Sequence, residues 1–213
     1  MMNMKHGAMT LVRLCQALVC LGSAGVAAAQ GQSGHPCDSL NHLNVGDPAP
    51  DFRVMDNTGR TLDLDTLTAS GPVVLVFYRG AWCPYCNKHM SHLQDSLQLL
   101  LDRKATVIAV SPEVPESAED IVRKSGATFS VVHDAGYAVM CAYGTAYFMD
   151  AKKKKRLRLV GINVDEANGN ADGVLPIPAT FVIGTDGRIA ALHFEEDHKE
   201  RMSVKAILEA LPR

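Results

Sequence analysis

Two cysteines separated by two residues, Cys83 and Cys86, are the part of this 213-residue chain best suited to chemistry. They lie in Arg79-Gly-Ala-Trp-Cys-Pro-Tyr-Cys86, directly after the apolar run from Val73 to Tyr78 and before a segment with helical spacing. One helical turn brings both sulfurs to the same face. A cysteine at the start of a helix sits among unpaired backbone N–H groups and the positive end of the helix dipole, which favour a thiolate. Pro84 suits the first turn, where its missing N–H removes no intrahelical bond. The chemistry this predicts is dithiol–disulfide exchange. A structural disulfide and half of a zinc site are the plainer uses of the same spacing. The strand before the motif and the helix after it favour redox catalysis over both.

His89 and His92 extend the motif to four potential metal ligands. On one continuous helix these side chains would spread over about 13 Å. A tetrahedral zinc ion holds its ligands at about 2.0–2.3 Å. The spacing therefore predicts no metal, and both histidines belong on the polar face of the helix. No other cofactor is called for.

The elements that must position the dithiol follow from periodicity. Val73 to Tyr78 and Thr106 to Val110 are short apolar runs bounded by turn signals, the pattern of buried strands. Met90, Leu93, Leu97, Leu100 and Leu101 recur at helical spacing, which predicts one helix from Pro84 to about Arg103. Residues 52–55 and 61–64 alternate around Asp56-Asn-Thr-Gly59 and predict a hairpin. A short turn over 65–69, a helix over 116–124 ended by Gly126, a strand over 129–132 and a short helix over 137–143 follow. Residues 146–171 have no clear period, and their run from Lys152 to Arg156 reads as a solvated basic face. The stretch Asn168-Gly-Asn-Ala-Asp-Gly173 only superficially matches a calcium loop, because its twelfth position is Ala179 where a bidentate Glu is required. A second hairpin spans 175–194 around Thr185-Asp-Gly187, and a helix over 198–211 closes the chain.

Hydrophobic residues make up 47% of the chain and charged residues 21%, enough apolar material for one globular core. A formal net charge of −2 gives no global pull toward nucleic acid or anionic membranes. Residues 1–29 read as a signal peptide: Lys5 and Arg13 precede an apolar stretch from Leu14 to Val26 that ends at Ala27-Ala-Ala29. Cleavage there predicts a periplasmic or secreted protein without stable membrane association, a flexible lead-in over 30–44, and one domain over 45–213. Cys37 and Cys141 then face an oxidising compartment. They can pair, or each can be a small buried hydrophobe.

The order strand, Cys-x-x-Cys helix, strand, helix, proline-led hairpin and final helix is that of the thioredoxin fold. Residues 45–211 resemble the alkyl hydroperoxide reductase / thiol-specific antioxidant (peroxiredoxin-like) branch of the thioredoxin superfamily. The resemblance is carried by Val45-Gly-Asp-Pro-Ala-Pro-Asp-Phe52, Phe77 to Cys86, Ser111-Pro112, and Pro176-Ile-Pro-Ala-Thr-Phe-Val-Ile183 followed by Asp186-Gly187. It implies an α/β fold: a central mixed sheet flanked by helices, with an N-terminal β-hairpin extension. It further implies that Pro178 is a cis-proline facing Cys83, that Cys83 is the nucleophile and that Cys86 resolves it. Trp82 would shield the site, Tyr85 would shape its rim, and the Arg79 charge would lower the Cys83 pKa.

Three functions share this reading. The first is a thiol peroxidase reducing hydrogen peroxide or organic hydroperoxides, recharged by a thiol reductant such as a thioredoxin-like protein. The second is a periplasmic oxidoreductase acting on protein disulfides. The third is a non-catalytic thioredoxin-fold binding module. The chain departs from peroxiredoxins in one respect. A Thr or Ser is expected three residues before the reactive cysteine and a Pro seven before, but Gly80 and Val76 stand there.

Overall fold

The computed structural model describes Cys37 and residues 42–212. The expected leader over 1–29 lies outside the described residues, as does all of the 30–44 lead-in except Cys37 and residues 42–44. The chain opens with the hairpin β1 (Arg53–Met55) and β2 (Thr61–Asp63), then α1 (Leu64–Ser70), β3 (Val73–Phe77), α2 (Pro84–Asp95) and α3 (Leu97–Leu101). Next come β4 (Thr106–Ser111), α4 (Pro115–Ser125), β5 (Ser130–His133), α5 (Ala138–Ala142), β6 (Ala146–Phe148), α6 (Ala151–Leu159) and α7 (Val164–Asn168). Strands β7 (Val174–Pro176), β8 (Ala179–Ile183) and β9 (Ile189–Phe194) precede the last helix, α8 (Val204–Ala210).

Five strands form the central sheet in the order β5-β4-β3-β8-β9. β3 runs parallel to β4, with Val73 opposite Thr106, and antiparallel to β8, with Val73 opposite Ile183. This is the mixed sheet flanked by helices that the sequence predicts, with the hairpin β1–β2 standing apart as its extension.

Every residue of β3 is buried because helices and loops cover both faces of the sheet. Alternate side chains serve opposite layers, as the period of a strand requires. Val74 and Val76 pack with Met90, Leu93, Ile121 and Ile207 from the helices. Val73, Leu75 and Phe77 point the other way, to Phe52, Tyr143 and Phe181. There Phe77, Tyr143 and Phe181 form a tilted and edge-on cluster with centroids 5.0–5.9 Å apart. The Tyr143 hydroxyl donates to the Pro50 carbonyl at 2.9 Å, so its polar end is satisfied.

Three expectations are corrected. The long helix over 84–103 is two helices, broken at Ser96, whose backbone (φ −106°, ψ 6°) leaves the helical region. The region 146–171, read as irregular, holds β6, α6 and α7. Helix α6 lacks an apolar stripe and so gives no periodic signal. Asp150 caps it by accepting from the Lys152 N–H at 2.6 Å, and Arg158 holds it to α7 through Asp165 at 3.0 Å. The last helix begins at Val204 rather than 198, where the Ser203 hydroxyl caps it by accepting from Ala206 N–H.

Candidate active site

The parallel strands β3 and β4 end side by side, and the site lies just beyond their carboxyl ends. Cys83 is the N-cap of α2, in extended backbone geometry, with Pro84 in the first turn as the sequence predicts. Its carbonyl accepts from the N–H groups of Cys86 and Asn87 at 3.0 and 3.1 Å. Both cysteines are unpaired thiols, and both are almost fully buried, at 1% and 0% exposure.

The pair is strongly asymmetric. The Cys83 thiol is lowered to about 6, first by the Cys86 thiol hydrogen bond, then by the Cys86 backbone N–H and the charges of Arg79 and Arg201, against the opposing effect of burial. Cys86 moves the other way, well above its usual value, because it donates to Cys83, is buried and faces the Cys83 charge. One sulfur is therefore a thiolate near neutral pH while the other keeps its proton. The depressed group binds fewer protons folded than unfolded, so it adds to the stability of the reduced protein above pH about 6, increasingly so as pH rises toward 9. Alkylation of Cys83 by iodoacetamide, followed against pH, should rise with a midpoint near 6. A midpoint near the ordinary thiol value would show that the Cys86 hydrogen bond and the two arginine charges do not act as placed.

Arg79 is 3% exposed, and its guanidinium stacks over the Trp82 ring at 4.8 Å. Trp82 is half-buried beside Cys83. Tyr85 stands at the rim with 40% exposure, its ring edge-on to His198 at 5.6 Å. Pro178 is buried and lines a cleft of about 300 Å³ with Tyr147, Lys153, Ile177, Glu196 and His198. The cis-proline expectation is corrected. No peptide bond among the described residues is cis, and Ile177–Pro178 is trans. Between β7 and β8, the Ile177 N–H is held by the Thr145 carbonyl at 2.7 Å.

Three residues escape sequence reasoning. Glu113, at the end of β4, is 1% exposed, and both its oxygens accept from the Ala81 N–H, at 2.9 and 2.8 Å. The Ala81 carbonyl is clamped in turn by Asn87 and Lys124, each at 3.0 Å. Burial pushes the Glu113 carboxyl up to about 8, despite the Ala81 hydrogen bond and the Lys124 charge. Raised in the fold, it stabilises the protein fully below its unfolded value of 4.5, and that contribution is lost as pH rises toward 8. The only local signal was its place after Ser111-Pro112. Arg201 donates to the Cys86 sulfur at 3.6 Å across a sequence gap of 115 residues, so nothing local marks it. His89 is 6% exposed, correcting its assignment to the polar face, while His92 is exposed as expected. Burial first, then the Arg201 charge, lowers the His89 pKa to about 4.

Glu113 also accounts for Gly80. Its φ of +152° disfavours other residues, and an added Cβ would lie 2.3 Å from Trp82 Nε1 and 2.7 Å from Glu113 Oε1. The hydroxyl that peroxiredoxins carry at this position has no room here. Among the described residues, no group of three or more His, Cys, Asp or Glu side chains is placed to hold a metal ion.

The AhpC/TSA family pattern matches residues 45–192, which is most of the chain and takes in the dithiol, Glu113 and Pro178. The chain belongs to the AhpC/TSA family. Thiol-disulfide oxidoreductase ResA of Bacillus thuringiensis is 23% identical over 193 residues, 90% of this chain and 91% of ResA. Among solved structures, peroxidoxin BcpB of Mycobacterium tuberculosis superposes with a TM-score of 0.61 at 22% identity, covering 79% of this chain and 96% of BcpB. Reduced Prx3 of Vibrio vulnificus, solved with hydrogen peroxide, gives 0.61 at 18% identity over 80% and 100%. These structures share the thioredoxin-like fold with the chain. The family and its curated relatives make the protein an oxidoreductase of the peroxiredoxin-like or thiol-disulfide kind, working with redox substrates and thiol reductants.

Proposed function

We propose that the protein is a thiol peroxidase, with Cys83 attacking the peroxide and Cys86 resolving the product. The observation that carries this reading is a Cys83 thiol only 1% exposed at the N-cap of α2, where the Cys86 thiol first, and then the Arg79 and Arg201 charges, favour its thiolate. A sulfur so little exposed suits a small oxidant such as a peroxide better than a disulfide on a folded protein. The Cys83 thiolate attacks one peroxide oxygen, the O–O bond breaks, and the departing oxygen leaves as water or an alcohol after taking up a proton. The Cys83 sulfenic acid is then attacked by Cys86, releasing water and forming the Cys83–Cys86 disulfide. An external dithiol restores both thiols by exchange.

Exchange with protein disulfides is the second reading, favoured by the missing hydroxyl at Gly80 and by the Cys-Pro-Tyr-Cys sequence. The Cys37–Cys141 bond in the described fold supports action in an oxidising compartment, in keeping with the leader expected over residues 1–29. Stopped-flow oxidation of the reduced protein by hydrogen peroxide tests the first reading. A rate far above that of free cysteine is expected, and a rate no better than free cysteine would overturn it.

A further inference from the structure

Arg201 touches the sulfur that the peroxide step does not use. Its Nη2 donates to the Cys86 sulfur at 3.6 Å, while its Nη1 donates to the carbonyls of His198 and Glu200. Those carbonyls fix the guanidinium on its own loop. The loop is anchored just beyond it by Met202, buried in the same core cluster as Cys83 and Cys86, and by the Ser203 hydroxyl that caps α8. No carboxylate lies within ion-pair distance of Arg201 among the described residues, and Glu196, Asp197 and Glu200 are exposed. The other groups packed around Cys86 bring it no positive charge. His89, one turn further along α2, is kept neutral by burial, and Tyr78 of the same cluster keeps its phenol proton. Glu113 is engaged with Ala81.

Cys86 is 0% exposed, so an unaccompanied thiolate there would be costly. In the reduced pair none is needed. Cys86 keeps its proton because it donates to Cys83, because it is buried, and because it faces the Cys83 charge. Oxidation of Cys83 to the neutral sulfenic acid removes the first and the third of these. Burial then remains, opposed by the Arg201 charge and the Arg79 backbone N–H.

We propose that Arg201 is the catalytic residue of the resolving step, its guanidinium holding the Cys86 sulfur as an anion while that sulfur attacks Cys83. The proposal rests on the reading of Cys86 as the resolving thiol. In that step an S–S bond forms between Cys86 and Cys83, and the S–O bond of the sulfenic acid breaks. The departing hydroxide takes up the proton that Cys86 gave up, so one water leaves. The Cys86 sulfur is oxidised, the sulfenic sulfur is reduced, and no external oxidant or reductant is consumed. The same contact serves recharging: when an external thiolate opens the disulfide at Cys83, Cys86 leaves as an anion beside Arg201.

The test mixes the reduced protein with hydrogen peroxide and follows Trp82, the single tryptophan of the chain, by stopped-flow fluorescence, with acid quench and peptide mass in parallel. The first phase scales with peroxide concentration, and the second, resolution by Cys86, does not. A unit charge about 4 Å from a sulfur at intermediate dielectric changes its thiolate population on the order of 10³-fold. The greater nucleophilicity of the more basic thiolate returns about half of that on a logarithmic scale. Arg201→Gln should therefore slow the second phase about tenfold to a hundredfold. The first phase should slow by less than about threefold, because Arg201 is the least of the influences on Cys83. In the variant the second phase should keep rising with pH beyond the point where the wild type levels off. Arg201→Lys keeps the charge but not the fork to both carbonyls, and should restore much of the rate. Lys199→Gln, which deletes an exposed cation from the same loop, should leave both phases unchanged.

Methyl methanethiosulfonate is the second probe: it places a methyl disulfide on Cys83, which Cys86 resolves by releasing methanethiol. If peroxide oxidises Cys83 no faster than free cysteine, the peroxidase reading falls, and the lifetime of this methyl disulfide alone decides the role of Arg201. An unchanged second phase, equal slowing of both phases, an unmoved pH profile, or equal losses in Arg201→Lys and Arg201→Gln overturns the proposal. Absence of the second phase in the wild type with both probes overturns it together with the resolving role of Cys86.

Discussion

Cys83→Ser should abolish peroxide consumption, lowering its rate on the order of 10⁴-fold, because a serine hydroxyl keeps its proton where the thiol gives it up. Cys86→Ser should separate the two halves of the reaction. Its Cys83 keeps the Arg79 and Arg201 charges but loses the Cys86 thiol hydrogen bond, which is the largest cause of its lowered pKa. The first oxidation therefore persists at a reduced rate near neutral pH, and one equivalent of peroxide is consumed per protein. Turnover with a dithiol reductant then stops or slows greatly, and a sulfenic-acid-selective nucleophile labels Cys83 in this variant but not in the wild type. The measurement is peroxide consumed per protein with and without reductant. Equal turnover in Cys86→Ser and wild type would remove Cys86 from the reaction. No labelling of Cys83 in this variant, with protein-disulfide exchange intact in the wild type, would move the assignment to the second reading.

The parts of this architecture that could be read from the sequence are those encoded by local pattern. Val73 to Phe77 and Thr106 to Val110 are continuous apolar runs because both faces of their sheet are covered, and such runs are hard to mistake for anything else. The cysteine spacing, Pro84 and the helix behind them are likewise local. The missed features depend on groups far apart in the chain. Arg201 meets Cys86, and Glu113 meets Ala81, across 115 and 32 residues of sequence, through the tertiary fold alone. Gly80 looked like a missing hydroxyl, yet the packing of Trp82 and Glu113 against it explains why no side chain is present. Helix α6 escaped because none of its residues is fully buried and only Leu157 packs on a core cluster, so the hydrophobic period that marks other helices was absent. His89 was assigned outward with His92 once their spacing excluded a shared metal ion. Its neighbours Met90 and Leu93 line the same buried side.

Opening the Cys37–Cys141 bond should lower the stability of the fold markedly. The bond closes a loop across 104 residues and ties the segment before β1 to α5. Helix α5 has only five residues, too few to hold itself together in isolation. It is fixed by Asp134, whose buried carboxylate accepts from Val139 and Met140 N–H at 3.1 and 2.7 Å, and by packing of Val139 and Met140 into the layer below the sheet. Cys37 packs on that same layer. Cys141→Ser should therefore lower the unfolding free energy by about 2–4 kcal/mol, mainly by freeing the unfolded chain. In urea titrations of protein oxidised at Cys37 and Cys141, the variant's midpoint should fall. A dithiol reductant should lower the wild type by a similar amount and leave the variant nearly unmoved. The Cys83 titration near pH 6 should be the same in both, because neither Cys37 nor Cys141 is among the groups that set it. A wild-type midpoint indifferent to reductant would mean that the bond does not form in solution, and the argument for an oxidising compartment would lose its support from the fold. A matched fall would establish a division of labour among the four described cysteines: Cys37 and Cys141 hold the fold, which leaves Cys83 and Cys86 free to cycle.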